Sequence, residues 1–302
     1  MNKYARMAIG MSLFVTVWYG LQAWFVQSAV RASSPLAFNA ERYLLASLLL
    51  GGFCFIKRIP LTRRAIQGGA LLGTVFTVAV AADTQGIALG SAGRVVFLGS
   101  LYVAFLPLCA LLFRRPNVRV AAVIGSLVVL LGGGLLLYTP DGTIASDFFG
   151  VLRALAFGVY LLLLSRYAHE DWRVMSLVSA VVVAGLSIGL AVVTDQARFS
   201  LSIDVLAPVI LSALIGTILC AAITLWSGRF LSPALMGMIS FLESPFTVIW
   251  GIMLGREVLS INSLAAFAII SLGAVLVLGA NAIRVPALRL TTRPTRTVVP
   301  QS

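Results

Sequence analysis

The sequence predicts an all-α polytopic membrane protein with ten transmembrane helices in two inverted five-helix repeats. Three observations lead to this fold class. Hydrophobic residues make up 60% of the 302-residue chain, and the mean hydropathy is +1.03. Ten apolar stretches each approach the roughly 20 residues that a helix needs to cross a bilayer. The first half of the chain also has weak sequence similarity to the second half.

The composition excludes several other classes of protein. Charged residues are only 11% of the chain, against about 25% in a soluble domain, so a soluble fold would lack polar cover for its surface. Intrinsic disorder is excluded because disordered chains are poor in hydrophobic residues. Cys54, Cys109 and Cys220 lie far apart inside apolar stretches, a pattern that indicates neither a disulfide framework nor a zinc or redox motif.

The ten apolar stretches define the ten expected helices in order. They are Met7–Val30, Leu36–Ile56, Ala65–Leu89, Ser91–Phe113, Val120–Tyr138, Phe148–Tyr167, Val174–Thr194, Val205–Ser227, Pro233–Leu254 and Ile261–Ile283. The gaps between them are short and carry turn formers, so none of them could hold a soluble domain. The first stretch is too long for a signal-peptide core and has no small-x-small cleavage site, so we expect it to remain as a membrane helix.

The distribution of Lys and Arg explains the net charge of +12. Sixteen of these residues lie at the termini and in alternate gaps, and six at most lie on the opposite side. Because positive charge marks the cytoplasmic side, both termini are expected in the cytoplasm, with an even number of spans. In a soluble protein such a charge would suggest nucleic acid, but this pattern encodes membrane orientation and we expect no nucleic-acid partner.

A shift of 141 residues aligns the two halves without a gap. At this offset Tyr19 falls on Tyr160, Leu101 on Leu242, Phe105 on Phe246, Arg115 on Arg256 and Gly132 on Gly273. Leu-rich helices can match by chance, but five stretches precede the middle and five follow it. An odd number of helices per repeat forces the second copy to enter from the other side, as in secondary transporters. The expected domains are a first repeat over 1–140, a second repeat over 141–285, and a disordered basic cytoplasmic tail over 286–302.

Glu243 is the most informative single residue. It lies about ten residues after Pro233, which at 1.5 Å per residue places it near the midplane of the bilayer. A charge in hydrocarbon costs at least about 2.5–3.5 kcal/mol, so it should face a partner or a wet cavity. Pro245 removes a backbone hydrogen bond beside it and can kink the helix. The carboxyl can therefore meet substrate or a coupling proton, or it can brace the kink.

Five further ionisable residues lie in the outer half of the predicted bundle. We expect Glu41, Arg42, Arg94 and Arg153 to form structural ion pairs, at least one of them direct. Asp83 can face the cavity or pair with Arg94 or Arg153, and we include it among the substrate-binding candidates. The three arginines could alternatively attract an anionic substrate.

Amphipathic side chains deep in the apolar stretches indicate a polar cavity. Trp18, Tyr102 and Tyr160 lie away from the expected membrane interfaces, and a buried tyrosine needs a hydrogen-bond partner. Gln22 follows Trp18 by about one helical turn. The candidate substrate-binding residues are Trp18, Gln22, Asp83, Tyr102, Tyr160 and Glu243.

The sequence gives little support to enzyme chemistry. The only histidine, His169, lies in a short gap beside Glu170 and Asp171, and we find no metal-ligand spacing, phosphate-binding loop or channel filter. We expect no catalytic residue, no metal site and no cofactor.

The order and spacing of several segments resemble the EamA-like transporters of the drug/metabolite transporter superfamily. The segments that carry this resemblance are Trp18-Tyr-Gly20, Glu41-Arg42-Tyr-Leu-Leu-Ala46, Ser91-Ala-Gly-Arg with the helix up to Pro107, and Leu242-Glu-Ser-Pro245 followed by Gly255-Arg-Glu257. The chain departs from the family where Ser244 separates a glutamate and a proline that are usually adjacent. Tyr102 stands where a first-half counterpart of Glu243 would lie, so symmetric carboxylate chemistry is doubtful.

This resemblance implies a secondary transporter whose cavity lies between the halves, lined by helices one, three, four, six, eight and nine. We expect an exporter of a small metabolite, such as an amino acid, that works by alternating access in the cell inner (plasma) membrane. The expected partners are the metabolite and membrane lipid, with the chain as a monomer or homodimer. A small-drug efflux protein is the alternative, followed by a non-transporting membrane scaffold.

The charge distribution makes a testable topology prediction. A reporter protein fused after Arg284 should have the activity of a cytoplasmic reporter, because ten spans return the chain to the side of its basic N-terminus. Paired alkaline phosphatase and fluorescent-protein fusions measure this. External reporter activity would contradict both the span count and the inverted repeat.

Overall fold

The computed structural model describes residues 3–105, 120–138, 142–167, 169–200, 202–231, 233–256 and 260–282, and every regular element in these ranges is helical. In chain order the helices are α1 (Lys3–Ala32), α2 (Pro35–Ile56), α3 (Arg63–Leu89), α4 (Ala92–Gly99), α5 (Val120–Leu137), α6 (Ile144–Tyr167), α7 (Trp172–Val193), α8 (Ile203–Leu211), a π-helical segment (Ser212–Cys220), α9 (Ala221–Ser227), α10 (Pro233–Phe241), α11 (Glu243–Met253) and α12 (Ile261–Ala282). Below, "the π span" is Ile203–Ser227, and "the Glu243 span" is Leu235–Met253.

Eight segments of the described chain are long and apolar enough to cross a membrane. They correspond to all the predicted stretches except the second, which α2 occupies with Glu41 and Arg42 near its start, and the fourth, which is described as a shorter apolar helix over Ala92–Phe105. Residues 106–113 of the fourth stretch and the predicted disordered tail, 286–302, lie outside the described residues. The multi-pass helical class is therefore established, while the total of ten spans stays a prediction.

Local sequence signals explain where several helices begin. The Ser34 hydroxyl accepts from the Ala37 amide at 3.3 Å, and Pro35 occupies the first helical position of α2. The carboxylate of Asp171 caps α7 by accepting from the Arg173 amide at 2.9 Å. The hydrogen bonds of Asp171 with the Arg173 guanidinium also hold the pKa of this carboxyl below its usual value.

The Glu243 span is interrupted at Leu242, between α10 and α11. In a continuous helix the Phe241 carbonyl would accept from the amide of residue 245, but Pro245 has no N–H to donate. The interruption that the sequence led us to expect at this proline therefore occurs one turn before it. The proline itself lies in the first turn of α11, where a missing N–H is tolerated.

Helices α5 and α12 pack closely through glycines. A Cβ on Gly125 would lie 2.7 Å from the Val277 backbone nitrogen, and a Cβ on Gly273 would lie 2.6 Å from that of Val129. Such close approach of two backbones gives the van der Waals contact that holds helices together where no water is expelled.

Large apolar side chains cover much of the outer surface of the bundle. Leu48, Phe55, Leu131, Val193 and Leu272 are all at least 60% exposed. A soluble monomer rarely exposes apolar surface on this scale, whereas a lipid-facing surface requires it.

Substitution of Gly125 tests the α5–α12 contact. We expect Gly125→Val to lower the free energy of unfolding by roughly 1–3 kcal/mol, the usual range for overpacking. Gly134→Val is the matched control on the same helix, because a Cβ at Gly134 meets nothing within 4 Å. Thermal unfolding of the purified variants measures the difference, and equal stability of the two would show that the contact contributes nothing.

Candidate functional site

A partly open cavity of about 120 Å³ lies between helices from both halves of the chain. Its wall is formed by α1, α2 and α3 from the first half and by α6, α7, the π span and the Glu243 span from the second. The described part of α4 contributes no side chain to the wall. The cavity thus differs from the one that the family resemblance implies, because α2 and α7 line it.

Arg153 on α6 joins the two carboxylates of the cavity. Its Nη2 atom donates to Glu243 Oε1 at 2.7 Å, and its Nε atom lies 3.0 Å from Asp83 Oδ1. The three side chains are between 15% and 28% exposed, so they are largely removed from water. One cation therefore connects α6, α3 and the Glu243 span, with two negative charges facing one positive charge when all are ionised.

Helix α4 supports this ion-pair cluster without lining the cavity. A Cβ on Gly99 would lie 2.4 Å from Arg153 Nη1, so only glycine leaves room for the guanidinium there. The Val96 carbonyl accepts two hydrogen bonds. One is a long bond of 3.4 Å from Arg153 Nη1, and the other is a bond of 3.2 Å from Ser244 Oγ. Ser244, the departure from the family pattern, therefore ties the start of α11 to α4.

Arg42 on α2 is the second cation of the cavity wall. Its Nε atom donates to the Thr217 hydroxyl in the π-helical segment at 2.7 Å. Its guanidinium carbon lies 5.1 Å from the centre of the Tyr43 ring, within the range of a cation–π interaction. Tyr19 binds the same π-helical segment, since its hydroxyl donates to the Gly216 carbonyl at 2.9 Å.

Aromatic rings form an apolar part of the wall. Phe76 and Phe157 lie on either side of Tyr160, with ring centres 5.0 Å and 5.7 Å from its ring. All three line the cavity. A solute in this space would contact both an apolar surface and the charged groups of Arg42, Asp83, Arg153 and Glu243.

Four of the six predicted substrate-binding residues line the cavity: Gln22, Asp83, Tyr160 and Glu243. The other two lie one layer behind it. The Trp18 indole nitrogen donates to Gln22 Oε1 at 2.9 Å, and the Tyr102 hydroxyl donates to the Gly237 carbonyl at 2.7 Å. They are placed to orient the wall rather than to touch its contents.

The predicted ion-pair residues have different surroundings. Arg94 makes a bidentate pair with Asp147, at 2.6 and 2.8 Å, away from the cavity. Arg153 makes the direct pair expected with Asp83, and Arg42 has its hydrogen bond to a hydroxyl instead. Glu41 has no basic side chain within ion-pair distance in the described chain, and its Oε2 atom is buried without a hydrogen-bond partner there.

Small hydroxyl residues of the wall were not identified from the sequence. They are Ser12, Thr16, Thr84, Ser176, Ser179, Thr217, Thr224 and Ser240. Hydroxyl residues are common in membrane helices, where they bond to the preceding turn, as Thr224 does to the Cys220 carbonyl at 2.9 Å. Their residue type therefore carries no signal of a cavity. Ser176 differs from Thr224, because its buried Oγ lacks a hydrogen-bond partner among the described residues.

The arrangement can hold a small polar solute. No three His, Cys, Asp or Glu side chains of the described chain come together as a metal site would require. The volume of about 120 Å³ has room for several water molecules, since one water needs at least about 10–15 Å³.

Comparison with known proteins agrees with the resemblance seen in the sequence. Residues 6–138 match the model of the EamA-like transporter family, which belongs to the drug/metabolite transporter superfamily. No curated protein matches the chain in sequence. A solved structure described only as "Crystal structure of protein" is similar with a TM-score of 0.67, covering 92% of this chain and 98% of that chain at 16% identity. At that identity the similarity concerns the fold alone.

Arg153 provides a direct test of the ion-pair cluster. Arg153→Gln leaves Asp83 and Glu243 without their shared cation, so we expect it to destabilise the protein by roughly 2–4 kcal/mol. Membrane abundance and thermal unfolding measure this, with exposed Arg198→Gln as the matched control. Neutralising all three residues together, with Asp83→Asn and Glu243→Gln added, should recover much of the loss. Normal abundance of Arg153→Gln with lost transport would instead indicate direct substrate binding.

Proposed function

We propose that this protein is a secondary transporter that exports a small metabolite, such as an amino acid, by alternating access. Its residues 6–138 match the EamA-like transporter family. The match and the apolar helices make it a multi-pass membrane protein related to transporters of small molecules. The observation that carries the proposal is a partly open cavity between the two halves. Its wall contains the charged residues Arg42, Asp83, Arg153 and Glu243.

Placing a charged group inside the membrane costs free energy. Charged residues around a cavity therefore indicate a functional site. Ionisable residues in membrane segments usually face one another or a water-filled space and mark a substrate or ion pathway. Both conditions hold here. Arg153 is paired with Asp83 and Glu243, and all three residues line a space of about 120 Å³. In secondary transporters such a site lies between the repeats, where rocking of one half against the other can expose it to each side in turn.

Contacts between helices support two repeats related by a two-fold axis. If α1 to α5 correspond in order to α6, α7, the π span, the Glu243 span and α12, each contact between halves should have a mate. The contact between α3 and α6 corresponds to the contact between the π span and α1. The contact between α3 and α7 corresponds to the contact between the π span and α2. The contact of α1 with the Glu243 span has its mate in α4 with α6. The contacts α2–α7 and α5–α12 map onto themselves. This reciprocity favours ten spans in two inverted halves.

We assign the protein to the cell inner (plasma) membrane, with both termini in the cytoplasm. The proposal rests on the excess of Lys and Arg at the termini and in alternate gaps, since such residues remain on the cytoplasmic side during insertion.

The residues of the cavity have separable roles under this proposal. Gln22, Asp83, Tyr160 and Glu243 contact the solute, because their side chains line the space. Trp18 acts through Gln22, while Tyr102 fixes the Glu243 span through the Gly237 carbonyl. Arg94 and its partner Asp147 hold α4 to α6 and do not participate in binding.

Glu243 is the group that we propose couples transport to protons. It begins α11 directly after the break at Leu242, so it lies where the two parts of the Glu243 span can move relative to one another. The ionisable groups that interact with it are Arg153 on α6, Asp83 on α3 and the phenol of Tyr102 after α4. Protonation of Glu243 would remove its negative charge, so Arg153 would keep only its ion pair with Asp83. The contact between α6 and the Glu243 span, both in the second half, would then change.

Flux measurements with Glu243→Gln test the function and the coupling together. We expect the purified protein in sealed vesicles to exchange a labelled metabolite, drawn from a panel of amino acids and organic acids, in a saturable manner. Glu243→Gln should keep the fold, since glutamine is nearly isosteric and retains hydrogen-bonding capacity. Its rate should depend less on pH than that of the parent between about pH 5.5 and 8.5.

The outcomes of this experiment separate the alternatives. Identical pH profiles for the mutant and the parent would make Glu243 a brace for the helix break and the protein a facilitator driven by the substrate gradient. Flux of lipophilic drugs in place of metabolites would favour drug efflux. Absence of any flux, with the protein folded, would favour the scaffold and contradict the proposal.

A further inference from the structure

Arg42 differs from the other two buried arginines in what it faces. It is 5% exposed and lines the cavity. Arg94 is paired with Asp147, and Arg153 with Asp83 and Glu243. No carboxylate of the described residues lies within 4 Å of the Arg42 guanidinium, whose Nε bond is to the neutral hydroxyl of Thr217. A buried cation without a direct ion-pair partner is unfavourable, so an anionic ligand in the cavity would stabilise Arg42.

The carboxylates nearest in sequence and space are engaged elsewhere. Asp83 and Glu243 share Arg153, and Asp83 reaches Arg42 only as a longer-range electrostatic interaction. Glu41 precedes Arg42, but successive residues of a helix project about 100° apart. Glu41 interacts with the Ser200 backbone on another side of α2. No acidic side chain of the described chain therefore makes a direct ion pair with Arg42, although Asp83 acts on it at longer range.

The surroundings hold the Arg42 guanidinium in one orientation. Thr217 and the Tyr43 ring fix it from two directions. Gly216 allows the π-helical segment to come close, because a Cβ there would lie 3.0 Å from Arg42 Nη2 and 2.0 Å from Gln22 Oε1. A guanidinium has five N–H donors, and its planar end matches the two oxygens of a carboxylate. One donor is used by Thr217, which leaves the Nη groups for a ligand.

The rest of the wall limits the ligand to a small amphipathic molecule. The aromatic rings of Phe76, Phe157 and Tyr160 offer an apolar surface in the same space. The cavity volume of about 120 Å³ suits a small solute.

We infer that Arg42 binds the anionic group of the transported solute, and that the substrate class is small organic carboxylates with an apolar body. The inference rests on the proposed transport function and adds to it the charge and size of the substrate. In this arrangement Arg153 keeps the carboxylates of the wall away from Arg42, and the π-helical segment presents Arg42 to the cavity.

Binding by the purified full-length protein tests this with matched probes. The probes are 3-phenylpropionate and hexanoate, each with its amide and with an amine of similar length, 2-phenylethylamine and hexylamine. A ligand that binds only the folded state raises the thermal unfolding temperature, so titration gives an apparent dissociation constant. At least one acid should bind the parent at least tenfold more tightly than its amide or amine.

Variants assign the preference to Arg42. Arg42→Gln should weaken acid binding at least tenfold and remove the preference over the amide, and Arg42→Lys should retain part of it because the charge remains. Exposed Arg198→Gln has the same change of charge outside the cavity and should bind as the parent does. The acid-to-amide binding ratio is measured on the parent protein. It therefore tests the preference for carboxylates even if Arg42→Gln does not fold.

Each outcome distinguishes this inference from the proposed function. Equal binding of acids and amides, preference for amines, or an unchanged acid preference in Arg42→Gln would overturn the role of Arg42, while flux in vesicles would leave the transporter intact. Acid binding that depends on Arg42 without any flux would leave the site standing and contradict the transport function.

Discussion

The shared ion pair of Arg153 with Asp83 and Glu243 is the interaction on which the rest of the site depends. Its three side chains are at most 28% exposed, and a charge without a partner is unfavourable there, so they fix one another's positions. Asp83 comes from the first half of the chain and the other two from the second. The pair therefore ties both halves together at the wall of the space that a solute would occupy.

Backbone irregularities occur where the protein can tolerate them. The break at Leu242 and the π-helical segment both lie against the cavity, where a polar solute or a neighbouring side chain can satisfy exposed backbone groups. The Gly216 carbonyl receives the Tyr19 hydroxyl, and the Gly237 carbonyl receives that of Tyr102. Tyrosines of the first half thus donate to backbone carbonyls in the π-helical segment and in the helix before the break.

Three buried arginines of similar chemistry have three different environments. Arg94 faces a carboxylate of its own and cross-links α4 and α6. Arg153 faces two carboxylates, so the cluster has an excess negative charge when all three groups are ionised. Arg42 faces a hydroxyl and an open space. The role of each follows from the surrounding groups rather than from the residue type, which is why charge balance distinguishes a structural arginine from a binding one.

The sequence by itself determined the membrane class, most helix boundaries and the small set of residues worth considering, because hydrophobic length and the cost of buried charge are properties of local sequence. It could not tell that Gln22 lines the cavity while Trp18 stands behind it, since both lie on one helix and differ only in what packs against them. It could not foresee that Arg94 pairs with Asp147 or that Glu41 lacks a basic partner in the described chain. Those partners are distant in the chain, and only the tertiary packing of the helices brings side chains into contact or keeps them apart.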